Sequence, residues 1–461
     1  MEMFKGTEFQ RRKIIRELKS KDRGIVDFIK ILHHFFKDLS TWINQMKDPR
    51  NRSYVTYEQS DLVYAGILKN VCSAKTMRQM GEKFNEETCI RTFGVMTGHR
   101  ELQEMPHPDT LNWYLEQVSP EDIAKVRRNM IKKIIRMNSF SRGKLNGVYW
   151  RVVLDGTGLF YFKEKHCENC LVTTIKKENG KIEKRYYHKV LEAKLVLSKK
   201  LVLSFDTEFI ENEKEDVSKQ DCEINAAKRM LERMKKEYPK LPVCIQGDAL
   251  YAAEPIMELC RNNHWGYLLT QKENRQKQLA EAYEWIKAGG ETKKQKIKIK
   301  KENGWGMYVN HVEETAGKKE RANMYEYRYQ KKKKDGAWEE ITFQWITNIE
   351  INDKNLKEMI EAGRGRWNIE NEGFNRQKHG IYEIEHKNSH NNNAMKNHYI
   401  ITQITEIIMQ LYMVAWNPLL KQIKQTMKET SSRLLESFRG HSITQEDEEY
   451  IARHTKVHLE Y

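Results

Sequence analysis

No stretch of this chain approaches the roughly 18 uninterrupted apolar residues that a membrane-spanning helix needs. The segment MEMFKGTEFQRRKIIRELKSKD is too charged to read as a secretory signal. Seven cysteines (Cys72, Cys89, Cys167, Cys170, Cys222, Cys244 and Cys260) are an odd number scattered through 461 residues, which excludes a secreted disulfide framework. A reducing, cytoplasmic setting without a membrane is therefore expected. Acidic residues do not dominate either: Lys and Arg outnumber Asp and Glu by 81 to 65, a formal charge of +16. Such an excess suits a polyanionic partner, because each cation set on a phosphate releases condensed counterions. There is no internal repeat and no long low-complexity tract.

What is present falls into sections. Residues 1–147 are poor in glycine and carry apolar residues at helical spacing, as in DFIKILHHFFKDL and DIAKVRRNMIKKIIRM. They are expected to form a helical, DNA-binding domain, with Asp109 in PHPDTLNWYLEQV at a helix cap. From 148 the texture changes. VYWRVVLD is a nearly continuous apolar run ending in an acid, as a buried central strand reads. KVLEAKLVLS and KLVLSFDTEFI follow, joined at Lys199–Lys200, and then an amphipathic helix within 219–239. LPVCIQGDALYA is a second apolar strand ending in an acid; a short helix (254–263) and the strand WGYLLTQ come next. The order β-β-β-α-β-α-β predicts an α/β fold, a ribonuclease H-like mixed sheet flanked by helices, whose first part spans 148–285.

A β-rich subdomain (286–346) is inserted there, with turns expected at Asn303–Gly304 and Asp335–Gly336. The core then resumes over 347–412, and a charged helical region occupies 413–461.

Two of the strands end in aspartate, Asp155 and Asp248, each followed by a small residue, Gly156 or Ala249. Burying a carboxylate at a strand end is costly unless it is paired or holds a metal; the alternative reading is that each caps the next turn. In RGRWNIENEGFNRQKHG, Arg366 and Glu370 are four residues apart and share a helix face. An acid there completes a metal-binding carboxylate trio; the alternative is a surface ion pair.

These blocks, D-G-T-G, G-D-A-L-Y-A and R-W-x-I-E-N-x-G-F-N-x-x-K, resemble the catalytic blocks of bacterial insertion-sequence DDE transposases, in the group with a β-strand insertion and a Y-x2-R-x3-E-x6-K signature. Asp155 and Asp248 are 93 residues apart, and Asp248 and Glu370 are 122 apart, room for the inserted sheet. The resemblance covers roughly 148–412. It implies a polynucleotidyl transferase in which Asp155, Asp248 and Glu370 hold two Mg²⁺ ions, with Mn²⁺ as a substitute. It also implies double-stranded DNA partners (terminal inverted repeats and target DNA), a homodimer on paired ends, and association with the nucleoid. Arg366, Trp367 and Lys378 are the candidate DNA contacts. Two departures stand out: the signature tyrosine falls on Gly363, and the lysine position falls on Gln377, one before Lys378.

Competing signals are few. His166, Cys167 and Cys170 form a compact cluster with His188 on the next strand, but a second C-x2-C or H-x3-H is missing, so reduced thiols are favoured and zinc is not expected. Asp206 and Glu208 rival the trio only as supporting residues. Trp305, Trp338 and Trp345, beside Lys331 to Lys334, read either as base-stacking aromatics or as cross-strand packing. The rival functions are a DNA-binding derivative without catalysis, a structure-selective nuclease, and a zinc-dependent hydrolase.

Overall fold

The computed structural model describes residues 23–165, 167–177, 180–212, 219–272, 275–313, 321–369, 374–415, 425–453, 457 and 459. The chain divides into two compact units. One joins the N-terminal 137 residues to Asn375–Tyr461; the other is Asn138–Phe374.

The first unit is helical: α1 (Gly24–Phe36), α2 (Leu39–Asn44), α3 (Gln59–Val71), α4 (Met77–Phe84), α5 (Glu87–Thr97), α6 (Pro108–Gln117) and α7 (Pro120–Ile135). Helix α6 begins at Pro108, not at an Asp109 cap. Proline's fixed φ and missing N–H suit the first helical position, so the cap moves back to His107, whose ring accepts the Asp109 N–H at 3.2 Å.

The second unit is built on one mixed sheet. Its strands are β1 (Trp150–Phe162), β2 (Leu171–Lys176), β3 (Ile182–Val196), β4 (Val202–Ile210), β5 (Val243–Gly247), β6 (Gly266–Thr270), β7 (Lys293–Ile299), β8 (Glu302–Glu313), β9 (Arg321–Lys332) and β10 (Trp338–Thr347). Between them lie α8 (Glu223–Glu237), α9 (Glu254–Asn262) and α10 (Lys277–Ala288), and α11 (Leu356–Ile369) follows. The strand order is β2-β3-β1-β5-β6-β10-β9-β8-β7, with β4 paired to β3. Strands β1, β5 and β6 are mutually parallel, whereas β3 is antiparallel to both β1 and β4. That is the ribonuclease H-like arrangement expected from the sequence. The inserted strands do not make a separate sheet: β10 pairs antiparallel with β6 and carries the core sheet outward through β9, β8 and β7.

The β7–β8 turn falls at Lys300–Lys301 rather than Asn303–Gly304. Ile299 pairs with Glu302, and Lys300 takes the positive φ of 54°. Gly304 is instead spent on a close approach, since a Cβ there would lie 2.3 Å from the Arg328 carbonyl oxygen. The second turn is where the sequence put it, with Gly336 at φ 90°.

Beyond the second unit the chain re-enters the helical one with α12 (Asn375–His379), α13 (Asn392–Val414), α14 (Met427–Gly440) and α15 (Gln445–Ala452). Residues 375–412, grouped with the catalytic core on sequence, pack in the same compact unit as the N-terminal helices. Helix α13 is the centre of that unit and is buried on every face, with Ile400, Ile404, Ile407 and Leu411 in the core. Its Asn393 and Asn397 side chains donate to Val118 O, capping the otherwise unpaired carbonyl end of α6.

Candidate active site

Strands β1 and β5 run side by side in parallel, with Val152 opposite Ile245 and Val153 opposite Gln246. Two residues beyond that last rung come Asp155, still within β1, and Asp248, the first residue after β5. Side chains alternate along a strand, so Arg151, Val153 and Asp155 share one face with Cys244 and Gln246, and Asp248 opens the turn that follows. Both aspartates are half-buried. Asp248 Oδ1 accepts the Leu250 N–H at 2.8 Å, so the turn-capping reading holds for one of its oxygens. Among the described residues Asp248 has no cationic partner.

Helix α11 covers this same face. Its Leu356, Met359, Ile360 and Ala362 pack in one cluster with Leu145, Cys244 and Leu268. Arg151, whose guanidinium is held below its usual range by burial, feels Glu358 and Glu361 of the helix. The helix seats closely because residue 363 is glycine. A Cβ there would lie 2.5 Å from Trp345 Cε2, so the indole occupies the space a side chain would take. This is a physical reason for the departure from the tyrosine of the signature.

Glu192, opposite Asp155 on β3, is fully buried. It accepts the Ser204 hydroxyl at 3.0 Å and the Thr207 hydroxyl, and pairs with the buried Lys194 at 3.4 Å. Its oxygens are therefore committed. The Lys194 ammonium sits 5.7 Å from the centre of the Phe374 ring, so the chain beyond α11 returns to the Asp155 face.

The opposite face carries a group that sequence reasoning missed. Glu223, in the first turn of α8, lies directly over Gly156, where a Cβ would meet its Oε2 at 2.4 Å. It accepts the Tyr251 hydroxyl at 2.7 Å and pairs with Lys189. Burial first, then Glu223, Asp155 and Asp248, hold the Tyr251 phenol well above its ordinary range. Strand β1 runs on to Phe162, so Asp155 lies mid-strand and not at a strand end as the sequence suggested, and negative charge gathers around it and around the end of β5. In the sequence the only trace of Glu223 is an acid in a first helical turn, a common complement to the helix dipole.

The other candidates are distributed as follows. Glu370 and Glu372 lie outside the described residues, as does His166; Trp367 lies in the last turn of α11, with its side chain outside them. Arg366 is half-buried in that turn. Lys378 is in the helical unit, paired with Glu385 at 2.8 Å, while the preceding Gln377 is buried and bonded to Gln403 at 3.1 Å. Asp206 and Glu208 belong to the α8 face: Asp206 sits opposite Ala193, out of phase with Asp155, and both acids bind Arg233, at 2.9 and 2.6 Å. Trp345 is buried and stacks on Tyr325 with ring centres 4.9 Å apart, the packing alternative. Trp338 is 65% exposed and Trp305 is 38% exposed, the latter with Lys294 over its ring at 4.4 Å. Lys331 to Lys334 are all exposed.

The two half-buried carboxylates offer hard oxygen donors, which fit a hard divalent cation rather than a soft one. No helix among the described residues is long and apolar enough to cross a membrane. In comparisons with known proteins, no curated protein matches the chain. A cryo-EM structure of the piggyBac transposase synaptic complex with hairpin DNA is similar at 10% identity, covering 92% of this chain and 84% of that one, with a TM-score of 0.35. The family model described as "Transposase DDE domain" matches residues 147–405, from just before β1 into α13, taking in both aspartates and the whole inserted sheet. On that match, which spans more than half of its length, the chain belongs to the DDE-domain transposases, enzymes of the polynucleotidyl transferase class.

Proposed function

We propose that this protein cuts DNA at the ends of an insertion sequence and joins the freed ends to target DNA, with Asp155, Asp248 and Glu370 as its metal ligands. The observation that carries the reading is that Asp155 on β1 and Asp248, immediately after the adjacent parallel strand β5, both come two residues past the last rung that joins those strands. Glu370 is the residue that follows α11, and Phe374, four residues later, rests on Lys194 beside Asp155's partner Glu192. Both flanks of the third carboxylate therefore support its place in the trio.

Divalent metal, Mg²⁺ with Mn²⁺ as a substitute, would activate an attacking water or 3′-hydroxyl and neutralise charge on the leaving oxygen. The residues of the chain do the rest. The Leu250 N–H engages Asp248 Oδ1 and leaves the other carboxylate oxygen for a metal ion. The Glu192–Lys194 pair sets a buried, charge-balanced neighbour beside Asp155 on the adjoining strand. Arg366, one turn before Glu370, is positioned to orient a phosphate, a task suited to a planar guanidinium. Trp367 and Lys378 are further DNA contacts in this proposal. The helical N-terminal residues bind duplex DNA at the terminal inverted repeats, and a homodimer holds two ends. Such a protein acts in the cytoplasm, at the nucleoid.

The test is purified protein incubated with DNA carrying the element's own ends, with and without Mg²⁺. Strand cleavage that requires Mg²⁺ and is lost in Asp248→Asn, with end binding retained, is the expected result. Metal-independent cleavage, or an Asp248→Asn variant of normal activity, refutes the proposal.

A further inference from the structure

The connection between β1 and β2 carries Cys167 and Cys170, and β3 carries His188. The fold brings the three together. The two Sγ atoms are 3.4 Å apart, and His188 Nε2 is 3.3 Å from Cys167 Sγ and 3.5 Å from Cys170 Sγ. Both cysteines are free thiols. Among the described residues this is the one group of three or more His, Cys, Asp or Glu side chains that could hold a metal ion.

From these positions we infer a second metal site, for Zn²⁺, held by Cys167, Cys170 and His188. A tetrahedral zinc with Zn–S near 2.3 Å and Zn–N near 2.0 Å sets its donor atoms roughly 3.5–3.8 Å apart. The three atoms already form one face of such a tetrahedron to within a few tenths of an ångström. Two thiolates and an imidazole are soft or borderline donors, the set zinc takes and Mg²⁺ refuses. With a water in the fourth position, three protein donors complete a zinc coordination shell.

The surroundings are organised for this. The His188 side chain is buried, with Phe160 and Phe162 edge-on to its ring at 6.3 and 6.2 Å, so the ring cannot swing away. Its other nitrogen, Nδ1, lies 4.0 Å from Glu211 Oε1. At that distance the two are not hydrogen-bonded, but the nearby carboxylate's charge favours a proton on Nδ1, which leaves the Nε2 lone pair for the ion. The cysteine loop is fastened as well: Asn212 Nδ2 donates to Cys170 O at 3.0 Å, and Asn169 Nδ2 donates to Asn212 O at 3.0 Å.

The site is separate from the proposed catalytic one. Phe160, opposite His188, lies five residues past Asp155 on β1, about 16 Å at the usual rise of a strand. Its effect is to clamp the β1–β2 connection onto β3 and onto the segment after β4. The sequence left zinc aside for want of a second ligand pair; a single histidine from the neighbouring strand supplies the missing donor.

The experiment uses the full chain, purified after growth with zinc and passed over a chelating resin, with metal measured by mass spectrometry. About one equivalent of zinc is expected in the wild type, and less than about a fifth of that in the Cys167→Ser, Cys170→Ser double variant. Cobalt-substituted wild type should show the visible bands of a tetrahedral ion and a thiolate charge-transfer band, both lost in His188→Ala. Should the variants fail to fold, alkylation of the wild type decides the matter. Zinc should protect the partly exposed Cys167, Cys170 being buried with or without the ion, while leaving the exposed Cys222 reactive. A wild type that takes up no stoichiometric zinc, a cobalt spectrum without thiolate bands, or alkylation of Cys167 unaffected by zinc each overturns the inference.

Discussion

Gly363 and Gly365 stand two residues apart on α11, and the same substitution should act on them in opposite directions. At Gly363 an alanine Cβ would lie 2.5, 2.7 and 3.0 Å from Trp345 Cε2, Nε1 and Cδ2. The indole cannot retreat, because it is buried and stacks on Tyr325 and Phe343 with ring centres at 4.9 and 5.9 Å. Overpacking of a core costs about 1–3 kcal/mol, and three sub-contact distances to a rigid ring argue for the upper end. Removing a helical glycine returns roughly 1 kcal/mol, so the net cost is about 2 kcal/mol. At Gly365 nothing lies within 4 Å of the added carbon, so only the gain of about 1 kcal/mol remains. For a unit of this size each kcal/mol shifts the melting temperature by roughly 2–4 °C. Calorimetry on the full chain should therefore show Gly363→Ala lowering the transition of the sheet-containing unit by about 4–8 °C, with Gly365→Ala raising it by about 2–4 °C. Restoring the signature tyrosine at 363 should be worse still. Two alanines that shift the transition the same way would show that α11 does not seat on Trp345 as described.

Further outcomes follow from other parts of the molecule. His398, buried in α13, has its pKa lowered to about 3, by burial first and by Lys69 second. The unfolded chain binds a proton there below its ordinary value of 6.5 and the folded chain does not, so this stability is full above pH 6.5 and lost as pH falls towards 3. Unfolding of the helical unit should lose about 1.4 kcal/mol per pH unit across that window, and His398→Leu should flatten the slope; an unchanged slope refutes it. If the exposed Lys331 to Lys334 hairpin contacts DNA, replacing all four by Gln should weaken end binding and reduce the dependence of log K on log salt by up to about 3–4. An unaltered salt slope removes the hairpin from the interface.

Much of the second unit was legible because its centre is apolar and continuous. VYWRVVLD and LPVCIQGDALYA read as buried strands for the same reason that β1 and β5 lie side by side inside the sheet. The outer half of β1, the whole of β2 and the start of β3 were not legible. LVTTIK and IEKRYYH are polar, partly exposed hairpin arms whose strand character comes from pairing with each other. The Asn-Gly at 303–304 misled, because a glycine that signals a turn by its conformational freedom serves here by its lack of a Cβ. Asp155 and Asp248 were visible as acids closing apolar runs. Glu223 was not, since only the folded chain lays the first turn of α8 over Gly156. The zinc ligands divide the same way: the C-x2-C pair is written in the sequence, and its approach to His188 depends on the register of β3 with β1.

The central claim is the identity of the third carboxylate, and one comparison tests it. Glu370 is four residues after Arg366, about 40° around an ideal helix; Glu372 is six after it, about 240° around and pointing away. Cleavage and strand transfer on DNA carrying the element's ends should be measured for Glu370→Ala and Glu372→Ala, with folding and end binding checked for both. The account predicts that Glu370→Ala loses several powers of ten in rate while still binding the ends, and that Glu372→Ala keeps most of its activity. The reverse pattern would move the ligand to Glu372, and full activity in both variants would contradict the three-carboxylate mechanism itself.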